Sequence, residues 1–314
     1  MKSGLVAAAA ICAAACAAGQ KATATSTPTA TSTPAAKAAA SATANGSGGK
    51  HLSQRELLSR AEAAWARKDE PGLLDDAIRY WEEAALQPPM PVEALVSAAR
   101  ARRLRFEKAS GMASDALHET SRDAGACADD ARRAWVALEP EAAAMAAAGR
   151  PLAEVLARTG PRSAEALYLQ AACTAAWARA QGFTPLIERR ADLSLMLTRV
   201  AGLAPDLDEA GAERELGKLY AALPAYAGGD LKEARAHFEA ALARVPSSAR
   251  TRIVFARTVG VKAQDRALFE AQLQTASSAA DEAVATEAKE LLAREDELFG
   301  PAEAAQPIPG GPTR

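Results

Sequence analysis

Apolar residues recur at intervals of three and four along most of the segment 51–300, and this period marks one face of an α-helix. The segment 74–85 is a clear example, because Leu74, Ile78 and Trp81 fall on one stripe while charged residues occupy the opposite side. A chain with this pattern in nearly every segment folds into amphipathic helices that bury their apolar stripes against one another.

Three of these segments share one spacing of apolar residues. The positions, at offsets of 4, 7 and 12 from the first, are Ala77, Trp81, Ala84 and Pro89; Leu193, Leu197, Val200 and Pro205; and Ala234, Phe238, Ala241 and Pro246. This spacing is typical of the second helix of a tetratricopeptide-like hairpin, which ends at a proline. A single hairpin cannot bury its apolar face, so hairpins stack. The sequence therefore predicts an all-α fold of irregular tetratricopeptide-like helical hairpins stacked into a superhelical array.

The closing prolines are unevenly spaced. Pro140 follows a degenerate copy of the pattern at Ala131 and Trp135, and the intervals between the closing prolines are 51, 65 and 41 residues. A regular tetratricopeptide array repeats about every 34 residues. We therefore expect inserted helices or long loops, about a dozen helices in all, and no β-sheet.

Composition agrees with helices and argues against several classes of function. Hydrophobic residues make up 49% of the chain and aromatics only 4%, because about a quarter of the residues are alanine, which favours helices over a β-sandwich. The 37 basic and 39 acidic residues leave a net charge of -2, which argues against nucleic acid as a partner. The sequence has no nucleophile elbow and no histidine pair at metal-ligand spacing, so we expect no catalytic residue, metal or cofactor.

Residues 1–16 are predicted to be a lipoprotein signal peptide. Lys2 precedes an apolar stretch too short to span a bilayer, and small residues precede Cys16. In lipoprotein processing Cys16 becomes the first mature residue and carries the acyl chains. Simple secretion with cleavage nearby is the alternative. We expect an exported, periplasmic protein attached to the membrane by a lipid anchor only. The outer membrane is favoured over the inner one, because Ala17 and Ala18 follow the cysteine and neither is an acidic residue of the kind that retains a lipoprotein at the inner membrane.

Two segments lack the residues needed for a core. Residues 17–50 consist almost entirely of Ala, Thr, Ser, Pro, Gly and Lys, and residues 301–314 are rich in Pro and Gly. We therefore expect a disordered tether at 17–50, a helical domain at 51–300 and a disordered tail at 301–314.

The C-terminal half carries a family resemblance. Residues 213–242 read ERELGKLYAALPAYAGGDLKEARAHFEAAL, and residues 296–299 close the domain with DELF. The individual positions that match are Tyr220, His237, Phe238, Gln264, Asp265, Arg266 and Phe269. Together they resemble the T component associated with tripartite ATP-independent periplasmic (TRAP) transporters, and the resemblance covers most of residues 52–300.

The resemblance implies a role and partners. T components are non-enzymatic periplasmic lipoproteins of helical hairpins that form homotrimers, bind the substrate-binding P component of the transporter and carry an apolar pore or cavity. By this resemblance the protein assists uptake of a small organic or hydrophobic solute, with energy supplied elsewhere by an ion gradient. The alternative is a scaffold lipoprotein whose concave face binds another envelope protein or an extended peptide.

One loop is a candidate contact for a ligand or a partner. Its residues are Leu223, Pro224, Tyr226, Gly228, Gly229 and Asp230. Proline ends the preceding helix and the glycine pair permits positive φ, so the loop can project Tyr226. Either Tyr226 packs locally in an ordinary connection, or it contacts a pore or a partner. Trp81, Tyr220 and Phe238 are expected in the core because they follow the helical spacing.

Two cysteines and three histidines complete the set of candidate residues. Cys127 and Cys173 either form a disulfide in an oxidising compartment or are both buried as small apolar residues. His51, His118 and His237 are isolated in the sequence, and we expect His237 to be a partly exposed structural residue.

Overall fold

The computed structural model describes residues 52–109 and 116–300, apart from the side chains of residues 116–119, and all of them belong to one unit, His51–Arg314. Within these ranges there are fourteen α-helices and no β-strand, so the predicted all-α fold is confirmed. The helices are α1 (Gln54–Ala66), α2 (Leu73–Ala85), α3 (Val92–Ala109), α4 (Ala116–Leu138), α5 (Pro140–Ala147), α6 (Leu152–Ala157), α7 (Ala164–Gln181), α8 (Phe183–Leu203), α9 (Gly211–Ala222), α10 (Leu231–Arg244), α11 (Ala249–Phe255), α12 (Arg266–Ala276), α13 (Glu282–Ala293) and α14 (Glu295–Phe299).

The three segments with the shared spacing lie on α2, α8 and α10. Their nine apolar residues ahead of the prolines are all buried, with no side chain more than 2% exposed. Each helix ends before its proline, and each packs on the helix that precedes it in the chain, so that α1–α2, α7–α8 and α9–α10 are pairs. The stacking of these pairs as tetratricopeptide-like repeats stays a prediction.

Two short helices, α5 and α6, interrupt the series of pairs between α4 and α7. Pro140 is the first residue of α5, a position where its missing N–H removes no helical hydrogen bond. The indole Nε1 of Trp135 donates to Thr159 Oγ1 at 3.3 Å, which ties the end of α4 to the turn after α6. These inserted helices account for the longest interval between closing prolines, from Pro140 to Pro205.

The largest core is built mainly from small side chains. It extends through α1–α9 and consists mostly of Ala and Leu, which allows the helices to approach closely. A disulfide between Cys127 and Cys173 joins α4 to α7 inside this core, and both cysteines are fully buried. Two smaller cores lie in the C-terminal helices, one around the rings of Phe238 and Phe255 and the other around Phe269.

Several sequence-based expectations fall on other parts of the chain. The lipidation site Cys16, the tether at 17–50, the tail at 301–314 and the side chains of His51 and His118 lie outside the described residues. Of the helices in 52–109 and 116–300, none combines the length and the hydropathy needed to cross a membrane.

Candidate functional site

An open groove of about 880 Å³ lies where α9, α10 and the loop between them meet the start of α8. Its wall includes most of the predicted contact loop, with Phe183 at the first position of α8 and Lys262 from the segment after α11. We call it the aromatic groove, because two of the most exposed large apolar side chains of the described residues, Tyr226 and Phe183, both line it.

Backbone hydrogen bonds connect the residues of the loop from Leu223 to Asp230. Leu223 is buried, and the residues after Pro224 form one turn of 3₁₀ helix, Ala225–Ala227. The N–H of Gly229 donates to the carbonyl of Pro224 at 3.0 Å. A Cβ on Gly229 would lie 1.8 Å from the carbonyl oxygen of Leu223, so only glycine fits at this position. Packing and backbone hydrogen bonds therefore hold the loop in place.

Two aromatic rings project from this fixed backbone. Tyr226 is 90% exposed and therefore does not pack locally, and Phe183 is 66% exposed. Sequence reasoning identified Tyr226 from the proline and glycines around it but missed Phe183. The only signal for Phe183 was a large apolar residue placed directly after Gly182, at the start of a helix.

Charged side chains fix the two helix ends that border the groove. Lys262 donates from Nζ to the carbonyls of Ala221 and Ala222, the last residues of α9, where a cation is favoured by the helix dipole. Asp230 is the N-cap of α10, and its Oδ1 accepts from the N–H of Lys232 at 2.7 Å. The wall of the groove is therefore largely apolar, with two cations, Lys232 and Lys262, and one carboxylate, Asp230.

The family positions Tyr220, His237 and Phe238 lie on α9 and α10, the two helices that border the groove. Phe238 is fully buried and its ring stacks on Phe255 with centroids 5.1 Å apart. Tyr220 is only partly buried, and it stacks on His237 at 5.4 Å. His237 Nδ1 lies 2.7 Å from a carboxylate oxygen of Glu213, so this histidine bonds to α9.

The second part of the family signature lies at the start of α12, away from the groove lining. Asp265 is the N-cap and accepts from the N–H of Leu268 at 3.0 Å and from Arg235 Nη2 at 2.7 Å. These two hydrogen bonds hold the pKa of the Asp265 carboxyl below its usual value. Gln264 has a φ of 53° and bonds back to the carbonyl of Val261, so it forms the turn that leads into α12.

Arg266 and Phe269 attach the last helix, α14. Arg266 forms an ion pair with Glu295 at 2.8 Å, and its guanidinium lies over the ring of Phe299 at 5.5 Å. Phe269 is fully buried and meets Phe299 edge-on, with centroids 5.1 Å apart. The two family motifs, 264–269 and 296–299, therefore contact each other directly, and their role is to close the C-terminal core.

No group of three or more His, Cys, Asp or Glu side chains within 52–109 and 116–300 is arranged to hold a metal ion. The residues of the aromatic groove can bind an apolar partner or ligand and exclude water from the contact. Binding is thus the chemistry that this site can perform.

Comparison with known proteins assigns the family. Residues 93–299 match the family model described as TRAP transporter T-component, and this match spans more than half of the 314 residues. No curated protein matches the chain. The matched range contains every element of the aromatic groove and both C-terminal motifs. This protein therefore belongs to the TRAP transporter T-component family, whose members are components of a transporter and do not form an enzyme family.

Proposed function

We propose that this protein is an exported lipoprotein that binds the substrate-binding P component of a TRAP transporter and assists uptake of a small organic solute. The P component docks on the aromatic groove, and Tyr226 and Phe183 enter its surface. The observation that carries this assignment is the pair of exposed aromatic rings on a loop and a helix end that are otherwise fixed.

The free energy lost by leaving two aromatic rings in water supports a binding role for them. An aromatic side chain left in water forgoes the free energy of burial, and tyrosine is enriched among the residues that dominate protein interfaces. The backbone beneath Tyr226 is already bonded, through Gly229 to Pro224 and through Asp230 to Tyr220, so little conformational entropy is lost on docking. Lys232 adds a cation at the edge of the groove, which favours a partner with carboxylates around its apolar contact.

Family membership supports a proposal for the wider assembly. In this proposal three copies associate around an apolar passage, the solute moves between the T component and the P component without any bond being made, and an ion gradient drives the transporter. Light scattering of the full chain tests the stoichiometry, with a trimer expected and a strict monomer at tens of micromolar opposing it.

Attachment to the membrane is a separate part of the proposal. Cys16 carries the acyl chains and the segment 17–50 is the tether. Mass spectrometry of the protein extracted from the membrane fraction should show a lipid-modified N-terminal Cys16, whereas an unmodified N-terminus elsewhere would indicate simple secretion.

The docking proposal is tested by the affinity of the full chain for the purified P component whose gene lies nearest to that of this protein. Tyr226→Ala and Phe183→Ala should each weaken binding at least about ten-fold, as expected for residues at the centre of an interface. Leu86→Ala is the matched control, because Leu86 is a large apolar residue with 77% exposure that does not line the groove. Unchanged affinity in both aromatic variants would overturn the proposal. Retention of a different envelope protein by the same two residues would support the scaffold alternative instead.

A further inference from the structure

A second pocket, of about 350 Å³, lies among the end of α1, α3, α7, the loop between α8 and α9, and the start of α11. It shares no lining residue with the aromatic groove. Its volume falls within the range of roughly 300–1,000 Å³ that is usual for small-molecule sites. We call it the charged pocket, after Lys68, Arg103, Asp208 and Arg250 in its wall.

Asp208 is the central acidic group of the charged pocket, and its carboxylate is already engaged. Oδ2 accepts from the hydroxyl of Tyr168 at 2.6 Å, from Arg214 Nη2 at 2.6 Å and from Arg103 Nη1 at 3.1 Å. Burial alone would raise the pKa of the Asp208 carboxyl, but Arg103 and Arg214 hold it below its usual value. Asp208 therefore remains an anion, and its charge is already neutralised by Arg103 and Arg214.

The other two carboxylates of the wall also have close partners. Glu107 accepts from Arg103 Nε at 2.8 Å, and Glu165 accepts from Arg100 Nε at 3.0 Å. Each acidic group that lines the pocket is thus paired with an arginine at ordinary hydrogen-bond distance. Two other cations of the wall, Lys68 and Arg250, do not take part in these pairs.

Lys68 and Arg250 have only long contacts to carboxylates within the described part of the chain. Lys68 Nζ lies 3.7 Å from Asp69, whose carboxylate is bonded to Lys108 at 2.7 Å. Arg250 Nη1 lies 3.5 Å from the Oδ1 of Asp208. Charge-assisted N–H···O bonds are normally about 2.7–2.9 Å long. Both cations therefore keep donors that an incoming anion can use.

The remaining wall of the charged pocket is apolar. Trp65, Leu104, Leu169 and Leu207 line it, and the ammonium group of Lys68 lies 5.3 Å from the centre of the Trp65 ring. A cation beside an aromatic face creates a boundary between a charged and an apolar region. A ligand that fits both regions needs an anionic group and an apolar body.

The backbone that carries Asp208 is itself strained. Asp208, Glu209 and Ala210 have φ angles of 50°, 55° and 57°, which form three consecutive left-handed residues without a glycine. Residues other than glycine seldom adopt this conformation, because it brings Cβ close to a carbonyl oxygen. Backbone strain of this kind persists where surrounding groups enforce it, and it is concentrated at functional sites. Here the bonds of Asp208 to Tyr168 and Arg214 enforce it, beside the pocket.

We propose that the charged pocket binds a small amphipathic anion, a carboxylate or a phosphate ester with an apolar body, whose charge contacts Lys68 and Arg250 and whose body packs on Trp65. The site is independent of the aromatic groove and of any P component. It assigns this chain a ligand of its own, in addition to its role in the transporter.

Calorimetric titration of the full chain with octanoate, octyl phosphate, octanol and inorganic phosphate tests the proposal. One or both of the amphipathic anions should bind saturably, at least about ten-fold more tightly than octanol or inorganic phosphate, because only they combine a charge for Lys68 and Arg250 with an apolar body for Trp65. A preference for octanoate identifies a carboxylate ligand and a preference for octyl phosphate identifies a phosphate ester. Equal binding of octanol, or no saturable binding of either anion, contradicts the proposal.

Variants then locate the site. The double substitution Lys68→Gln with Arg250→Gln should weaken the preferred anion at least about ten-fold, whereas Lys232→Gln at the aromatic groove should change its affinity less than about two-fold. The anion should also change the fluorescence of the wild-type chain, and this change should disappear in Trp65→Phe. The second readout does not depend on removing either cation. Unaltered affinity in the double variant, or an undiminished fluorescence change in Trp65→Phe, would place the anion elsewhere and overturn the assignment.

Discussion

The N-terminal helices α1–α8 and the C-terminal helices α10–α14 differ in the size and composition of their hydrophobic cores. The N-terminal helices share one extended core of small side chains and a buried disulfide between Cys127 and Cys173. The C-terminal helices have small separate cores, each dependent on a few phenylalanine rings. Stability is therefore spread over many residues in the first region and concentrated in a few residues in the second, which is also where the family motifs lie.

Two glycines leave room for the buried phenylalanine side chains of the C-terminal cores. A Cβ on Gly217 would lie 2.8 Å from the ring of Phe238, and a Cβ on Gly260 would lie 3.2 Å from the Cβ of Phe269. In the N-terminal core alanine fills the corresponding role, because its small side chain permits close helix contact without a cavity. The two regions should thus respond unequally to loss of a single side chain.

Phe269→Ala is expected to have the largest effect. It removes a fully buried ring from a core with few other large side chains, and Phe→Ala substitutions of this kind cost about 3–5 kcal/mol. Hydrogen exchange should show the loss in α11–α14, with α1–α8 still protected. A cost below about 1 kcal/mol, or uniform loss of protection along the chain, would show that the two regions do not differ in this way.

Removal of the disulfide is expected to affect the other region. Cys127→Ala with Cys173→Ala opens a cross-link between residues 46 positions apart and should lower the free energy of unfolding by about 2–4 kcal/mol. Chemical denaturation with hydrogen exchange measures the loss, which should fall on α4 and α7. The oxidised wild type treated with a reductant is the matched control, and equal stability of all three forms would contradict the prediction.

Asp265→Ala should have a moderate effect, localised to the start of α12. Loss of this N-cap should cost about 1 kcal/mol at neutral pH. Because the pKa of Asp265 is lowered in the folded state, its carboxylate stabilises the fold above the unfolded-state pKa, and that contribution is lost as pH falls through the folded-state pKa. Denaturation curves of variant and wild type should therefore converge in acid. A constant difference down to pH 2 would show that the charge of Asp265 is not involved.

Tyr226→Ala should have the smallest effect on stability. The side chain is 90% exposed, and exposed substitutions away from special features usually change stability by less than about 0.5 kcal/mol. Thermal denaturation measures this. A loss above about 1 kcal/mol would indicate that Tyr226 supports the loop and is not free to contact a partner.

Helix positions and their buried faces could be predicted from the sequence, because they depend on local periodicity. The spacing identified Trp81 and Phe238 as buried, and both are. Residues brought together by long-range packing could not be predicted. Phe183 reaches the same groove as Tyr226 only because α8 packs against α9.

The charged pocket could not be predicted from the sequence either, because it also depends on long-range packing. No glycine marks the left-handed backbone at Asp208, and its hydrogen-bonding partners Arg103 and Tyr168 are 105 and 40 residues away in the chain. Tyr220 shows that helical spacing can also overestimate burial. It follows the spacing of core residues, yet it is only partly buried beside His237. Spacing indicates which face a residue occupies, but the neighbouring helices decide how far that face is covered.

The most direct test of the account is site-specific crosslinking between the aromatic groove and the P component. A photoreactive benzoylphenylalanine replaces Tyr226, Phe183 or, as the control, Leu86 in the full chain, and the crosslinked products are identified by mass spectrometry after irradiation with the P component. The account predicts crosslinks from positions 226 and 183 and none from position 86. Crosslinks from position 86 alone, or from none of the three, would contradict it.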